Sequence, residues 1–277
     1  MKKLVLAGAA LAVLVSGPAM AADLPLKAPP IVPVYDWTGF YVGINGGYSF
    51  GRSETDFNFP GFPVVSGKFN INGAVAGGQA GYNWQFSPKM VFGVEGDLQW
   101  ARQGGTLEIA DGPFCTTTII RIQTTSCVEA DASLEQRLRW FGTARGRVGV
   151  LAAPYLLLYA TGGVAFGEFE NNVTIVNSAT VTTSLNGVPL GTVATVATAA
   201  GSTNNNRIGW TVGGGAEFIL HGPWTAKMEF LFVDYGNFSN TYTLAGVPVL
   251  TTSTHMIDNI LRFGLNYRFG GPVVAKY

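Results

Sequence analysis

Residues Asp258 to Phe269 read D-N-I-L-R-F-G-L-N-Y-R-F. Leu261, Phe263, Leu265, Tyr267 and Phe269 fall on one parity, and Ile260, Arg262, Gly264, Asn266 and Arg268 on the other. Strict period-2 alternation is the mark of a β-strand with one apolar and one polar face. Such a strand fits anywhere in a soluble sandwich. Here it is rich in aromatics, stands close to the last residues of the sequence and accompanies an N-terminal export signal. The combination predicts the closing strand of an outer-membrane β-barrel. That strand must pair with the first one, because lipid offers no partner to an open sheet edge.

The export signal is residues 1–21. Lys2 and Lys3 form a charged start, Leu4 to Val15 an apolar stretch, and Ala19-Met20-Ala21 an A-x-A cleavage site, so the mature chain is expected to begin at Ala22. The alternative is an uncleaved inner-membrane anchor, against which Gly17-Pro18 interrupts the apolar run. Residues 22–36 are Pro-rich (Pro25, Pro29, Pro30, Pro33) and read as an extended periplasmic lead-in. Residues 37–277 are read as the barrel domain.

No later run reaches the roughly 18 apolar residues of a transmembrane helix. Charged residues make up only 12%, against about 25% in ordinary soluble domains. The formal net charge is zero and no basic cluster points to nucleic acid. Low charge without an apolar helix suits a barrel with lipid on its outside.

Eight alternating segments can be marked, near residues 37–50, 70–86, 90–102, 137–151, 155–169, 207–220, 224–238 and 258–269. Three short turns, Ser87-Pro88-Lys89, Ala152-Ala153-Pro154 and His221-Gly222-Pro223, alternate with four long connections at 52–69, 104–136, 170–206 and 239–257. An even strand number with short turns on one side and long loops on the other is the pattern of a bacterial up-and-down antiparallel transmembrane barrel. A soluble, lipocalin-like barrel is the competing reading, and it would place its charges outside.

The charges decide between the two. Glu95, Asp97, Arg139, Arg145, Arg147, Glu217, Lys227, Glu229, Arg262 and Arg268 all fall on the parity opposite the aromatics. A Lys or Arg facing lipid at mid-depth costs about 2–4 kcal/mol, so this parity is assigned to the lumen. Arg102, Glu168 and Asp234 share the apolar parity, but only at the loop-side strand ends. Trp37, Trp84 and Trp224 at the turn side, and Trp100, Trp140 and Trp210 at the loop side, are expected to form the two aromatic girdles.

An eight-stranded barrel is only wide enough for side chains to fill it. The lumen charges therefore read as a packed salt-bridge network. The alternative is a narrow polar channel, in which Arg139, Arg145 and Arg147 face Glu95 and Asp97, with Gly43, Gly47, Gly77, Gly81, Gly213 and Gly215 leaving room for water. Cys115 and Cys127, the only cysteines, read as a disulfide in an exported protein, with two free loop thiols as the alternative. The histidines are His221 and His255. His255 lies near Ser253 and Asp258, which makes a lipid-modifying hydrolase at the outer rim a third reading. No Walker motif, metal-ligand cluster or dinucleotide fingerprint appears, so no catalytic residue, metal or cofactor is nominated.

Several stretches resemble a known family. They are Ala22-Asp23-Leu24-Pro25, Trp37-Thr38-Gly39-Phe40-Tyr41-Val42-Gly43, Trp210-Thr211-Val212-Gly213-Gly214-Gly215 and Leu265-Asn266-Tyr267-Arg268-Phe269. The chain is similar to the small outer-membrane proteins of alphaproteobacteria, within the porin-like, opacity-type eight-stranded barrel superfamily. The resemblance implies an abundant structural envelope protein with surface loops seen by host or phage, and no catalytic residues. The cysteine pair is not carried over from the resemblance. A small diffusion pore is the alternative function. The expected partners are outer-membrane lipid and lipopolysaccharide, and the barrel-assembly machinery, which would read Phe269 or Tyr277 as its terminal aromatic signal.

Overall fold

The computed structural model describes residues 35–60, 63–244 and 247–269. The signal sequence, most of the Pro-rich lead-in and Tyr277 lie outside them. Eight strands follow one another: β1 (Gly39–Asn58), β2 (Val65–Ser87), β3 (Met90–Ile119), β4 (Gln123–Ala153), β5 (Leu156–Leu185), β6 (Val188–His221), β7 (Trp224–Leu244) and β8 (Val247–Phe269). Each pairs with the next, and β8 returns to β1 to close the barrel. The closing ladder is antiparallel and runs from Phe40↔Phe269 to Asn58↔Thr251. Gly39 starts it with φ +142°, in a place where a Cβ would sit 3.0 Å from the Phe269 carbonyl oxygen.

The expected short turns are present between β2 and β3, β4 and β5, and β6 and β7. The Met90 amide donates to Ser87 Oγ at 3.1 Å in the first, and Gly222 takes φ +55° in the third. Among the described residues the expected long loops are not loops. They are continuations of the strands into long hairpins. The largest turns at Asn186-Gly187, both with positive φ (49° and 82°), which is the backbone of a type I′ turn.

The outer surface carries a band of exposed apolar side chains, among them Phe40, Ile44, Leu98, Val164, Phe230 and Phe263. Trp84, Trp224, Trp100 and Trp210 point outward at its two margins, and Trp140 lies partly exposed with its Nε1 donating to Glu168 at 2.6 Å. Trp37 is a correction to the girdle. It precedes β1 on the inward parity of Tyr41 and Asn45, and it folds into the barrel mouth with zero exposure against Val91, Leu157 and Tyr159.

Beyond the loop-side tryptophans two ladders stop. β2 leaves β3 after Asn72↔Gly104, and β6 leaves β7 after Trp210↔Asp234. The other six ladders continue, reaching Phe57↔Val65, Ile119↔Gln123, Gln123↔Ser184 and Leu185↔Val188 among others. The barrel thus divides into two four-stranded sheets, β7-β8-β1-β2 and β3-β4-β5-β6. An apolar cluster joins them. Phe57, Tyr242 and Leu250 come from the first sheet, and Leu134 and Val173 from the second. Each such side chain contributes about 1.5–3 kcal/mol when fully buried. At the β6–β7 seam, side chains replace the backbone ladder. Arg207 lies 4.7 Å over the Phe238 ring, and Asn205 Nδ2 donates to Asn240 Oδ1 at 2.8 Å.

Candidate functional site: a filled lumen beneath an extracellular head

The lumen is filled in three layers. At the turn side Trp37, Val91, Leu157 and Tyr159 form an apolar floor. At the loop side Ile71, Leu138, Phe141, Phe169, Leu231 and Ile260 belong to an apolar ceiling. Ionised groups occupy the space between.

Strand parity and register bring those groups together. Glu95 on β3 is directly opposite Arg145 on β4, Glu229 on β7 opposite Arg262 on β8, and Glu217 on β6 opposite Lys227 on β7. The network then crosses the lumen. Arg145 reaches Glu95 at 2.5 Å, Asp97 at 2.9 Å and Glu229 at 3.0 Å. Arg262 holds Glu229 at 2.6 Å and Asp97 at 2.9 Å. Lys227 donates to Glu95 at 2.8 Å, and Arg147 to Glu217 at 3.0 Å. Neutral groups add further hydrogen bonds. Arg147 Nη2 donates to Asn83 Oδ1 at 2.7 Å, Tyr41 to Glu95 at 2.7 Å and Tyr159 to Glu229 at 3.0 Å. The side chains of these eight charged residues are 0–2% exposed. Four acids face four bases, so the buried charge cancels. Removing one member of such a cluster costs about 3–5 kcal/mol, because its partner is stranded without water.

Arg268 stands apart from this network. Its Nη2 donates to the carbonyls of Asp36 (2.5 Å) and Thr38 (3.0 Å), and its guanidinium covers the Tyr35 ring at 4.5 Å, tying the chain entry to β8. Arg139 is a correction. The β3–β4 ladder slips between Trp100 and Gln103, and the β4–β5 ladder between Leu138 and Trp140. This bulge puts Arg139 outside, 60% exposed and 3.5 Å from Glu170, and turns Leu138 inward instead. Asp258 is a lumen charge not nominated from sequence. It is fully buried, with the Ser49 hydroxyl donating to it, and its parity with Arg262 was the available signal.

The lumen glycines make room for side chains rather than water. A Cβ on Gly47 would lie 2.8 Å from Arg262 Cβ, one on Gly77 2.6 Å from Gln99 Oε1, and one on Gly215 2.7 Å from Tyr159 Oη. The hydrolase grouping does not assemble. Asp258 points into the barrel, whereas His255 lies on the exposed face with Nε2 3.2 Å from Asp234 Oδ1. Cys115 and Cys127 are directly opposite on β3 and β4 and form a disulfide. It lies near the hairpin tip, where Ile119 and Ile120 are exposed.

Comparisons with known proteins agree with this geometry. The chain is 31% identical over 279 residues to the 31 kDa outer-membrane immunogenic protein of Brucella melitensis, covering 97% of this chain and 100% of that one. It is 28% identical to the 25 kDa outer-membrane immunogenic protein of Brucella abortus, over 97% and 99% of the two chains. Among solved structures it is similar to the outer membrane protein OprG from Pseudomonas aeruginosa, with 12% identity, 85% and 99% coverage and a TM-score of 0.38, too loose a likeness to bear on function. Relatives and barrel geometry together place the protein in the bacterial outer membrane. A family model, outer membrane protein β-barrel domain, matches residues 7–269, and the chain belongs to that family.

Proposed function

We propose that this protein is a structural, non-enzymatic element of the outer membrane, with a closed lumen and a working surface in the extracellular head. What supports the reading is the filled lumen: a neutralised ion cluster with side chains at most 2% exposed, sealed above and below by apolar layers. A diffusion pore needs a continuous wet path, and apolar layers at both ends of the ion cluster count against one. The outward arginines Arg102, Arg137 and Arg139, just beyond the loop-side tryptophans, suit the phosphate groups of lipopolysaccharide. Phe269 ends β8 beside Phe40, with ring centroids 5.7 Å apart, and is the aromatic offered to the assembly machinery. The hairpin tips remain the surface for host or phage contact.

The test is single-channel recording of folded protein in a planar bilayer, beside an Arg145→Ala, Arg147→Ala double variant. Wild-type protein is expected to be silent. Reproducible wild-type steps whose size or ion selectivity changes in the variant would overturn the closed-lumen reading and establish a pore lined by those arginines.

A further inference from the structure

The upper part of β6 has an open backbone edge. β6 pairs with β5 as far as Leu185↔Val188 but with β7 only as far as Trp210↔Asp234. Side-chain contacts fill the seam up to Thr203 and Tyr242. Beyond that level, from Val188 to about Ala200, one row of β6 N–H and C=O groups has no ladder partner. The β3–β4 and β5–β6 hairpins stand highest, with Gln123 opposite Ser184 near their tips. The strands around Phe57 and Leu250 end near that level, whereas β5 continues twelve residues, from Val173 to Leu185, roughly 40 Å of strand at ~3.3 Å per residue.

The two edges of the β3-β4-β5-β6 sheet differ. The β3 edge carries the usual guards: Glu108, a bulge between positions 111 and 114, and Pro113, which has no N–H. The β6 edge has Pro189 and a register shift near its tip, but from Thr192 to Ala200 it reads T-V-A-T-V-A-T-A-A, with no charge and no proline. Val193 and Val196 are 65% and 69% exposed. An unguarded, β-prone, uncharged edge is a template for another strand.

We propose that this β6 edge pairs with the β6 edge of a second copy of the chain carried on a facing membrane. Strand direction decides the arrangement. Two copies side by side in one membrane, related by a two-fold along its normal, do not set their β6 edges antiparallel, and like groups would face each other. A two-fold lying between apposed membranes makes the edges antiparallel, so that each N–H meets a C=O. Centred on Val196, this pairing sets Ala194 opposite Thr198 and Val193 opposite Ala199 of the second copy, with small uncharged side chains throughout. The chemistry is backbone hydrogen bonding between like edges, and its consequence is adhesion between cells that carry the protein. The inference rests on the head being the working surface and is independent of whether the lumen conducts.

The experiment uses two vesicle populations carrying folded protein, with clustering read by light scattering and folding checked by the heat-dependent shift in gel migration. Wild-type vesicles are expected to cluster with one another but not with protein-free vesicles. Ala194→Lys with Thr198→Lys puts like charges opposite one another, and clustering is expected to fall at least tenfold. Mixing these vesicles with Ala194→Glu, Thr198→Glu vesicles is expected to restore it. Dispersed wild-type vesicles, or clustering indifferent to the Lys pair, would overturn the proposal, as would failure of the Lys–Glu mixture to recover.

Discussion

The membrane-spanning wall and the extracellular head are built from the same strands with opposite polarity. In the wall, β1 turns Phe40, Val42 and Ile44 outward and Asn45 inward; a few residues on, without a break, it turns Arg52, Glu54 and Asp56 outward and Phe57 inward. In β4 the wall buries Arg145 and Arg147 and exposes Val148 and Val150, whereas the head buries Leu134 and exposes Arg137. The backbone period of two runs unbroken through β1 and is reset in β4 by the bulge at Leu138–Trp140, but in both strands the inward face changes from polar to apolar as the solvent outside changes. Where lipid lies outside, the polar groups must be inside and must neutralise one another. Where water lies outside, the hydrophobic effect returns the apolar residues to the interior. Separation into two sheets follows from this inversion, because two facing apolar surfaces pack closely as a sandwich, while ions paired across the lumen hold the wall as one ring.

That contrast sets the expected effect of substitutions. Arg262→Leu strands Asp97 and Glu229 in the wall, and a loss of about 3–5 kcal/mol is expected in urea unfolding from lipid. A change below about 1 kcal/mol would mean that water reaches the cluster. Leu134→Ala, in the head, should cost about 2–5 kcal/mol locally. It should speed proteolysis of the long hairpins and leave the heat-dependent gel shift of the wall intact. If both respond together, head and wall form one cooperative unit. Ile44→Lys should cost about 2–4 kcal/mol on the lipid face, while Thr125→Lys, outward on the head, should stay within about 0.5 kcal/mol. Equal costs at the two positions would contradict the change of solvent between them.

The eight-stranded barrel, its closing strand and its three short turns were readable from alternation and turn residues. The head was not, and Arg139 shows why. Parity was extended through it in one unbroken count, but a bulge at Leu138–Trp140 resets the count, and a bulge leaves no mark in composition. Trp37 misled for a different reason: its turn-side position suggests the girdle, although its odd number puts it on the inward parity of Tyr41 and Asn45. The β5–β6 hairpin could have been found. Asn186-Gly187 between Val- and Thr-rich stretches is a strong type I′ signal, concealed here by the expectation that uncharged, Thr-rich sequence is loop.

Sequence alone determined the barrel and its place in the outer membrane, because a two-residue period and the cost of charge in lipid leave few alternatives. Only the tertiary structure decided that a packed ion cluster fills the lumen, that glycines make space for arginine and tyrosine, and that the wall divides above the membrane into two sheets with an open β6 edge. Those features depend on which side chains meet across 64 to 165 residues of chain and on where two ladders stop, and neither is written in local periodicity.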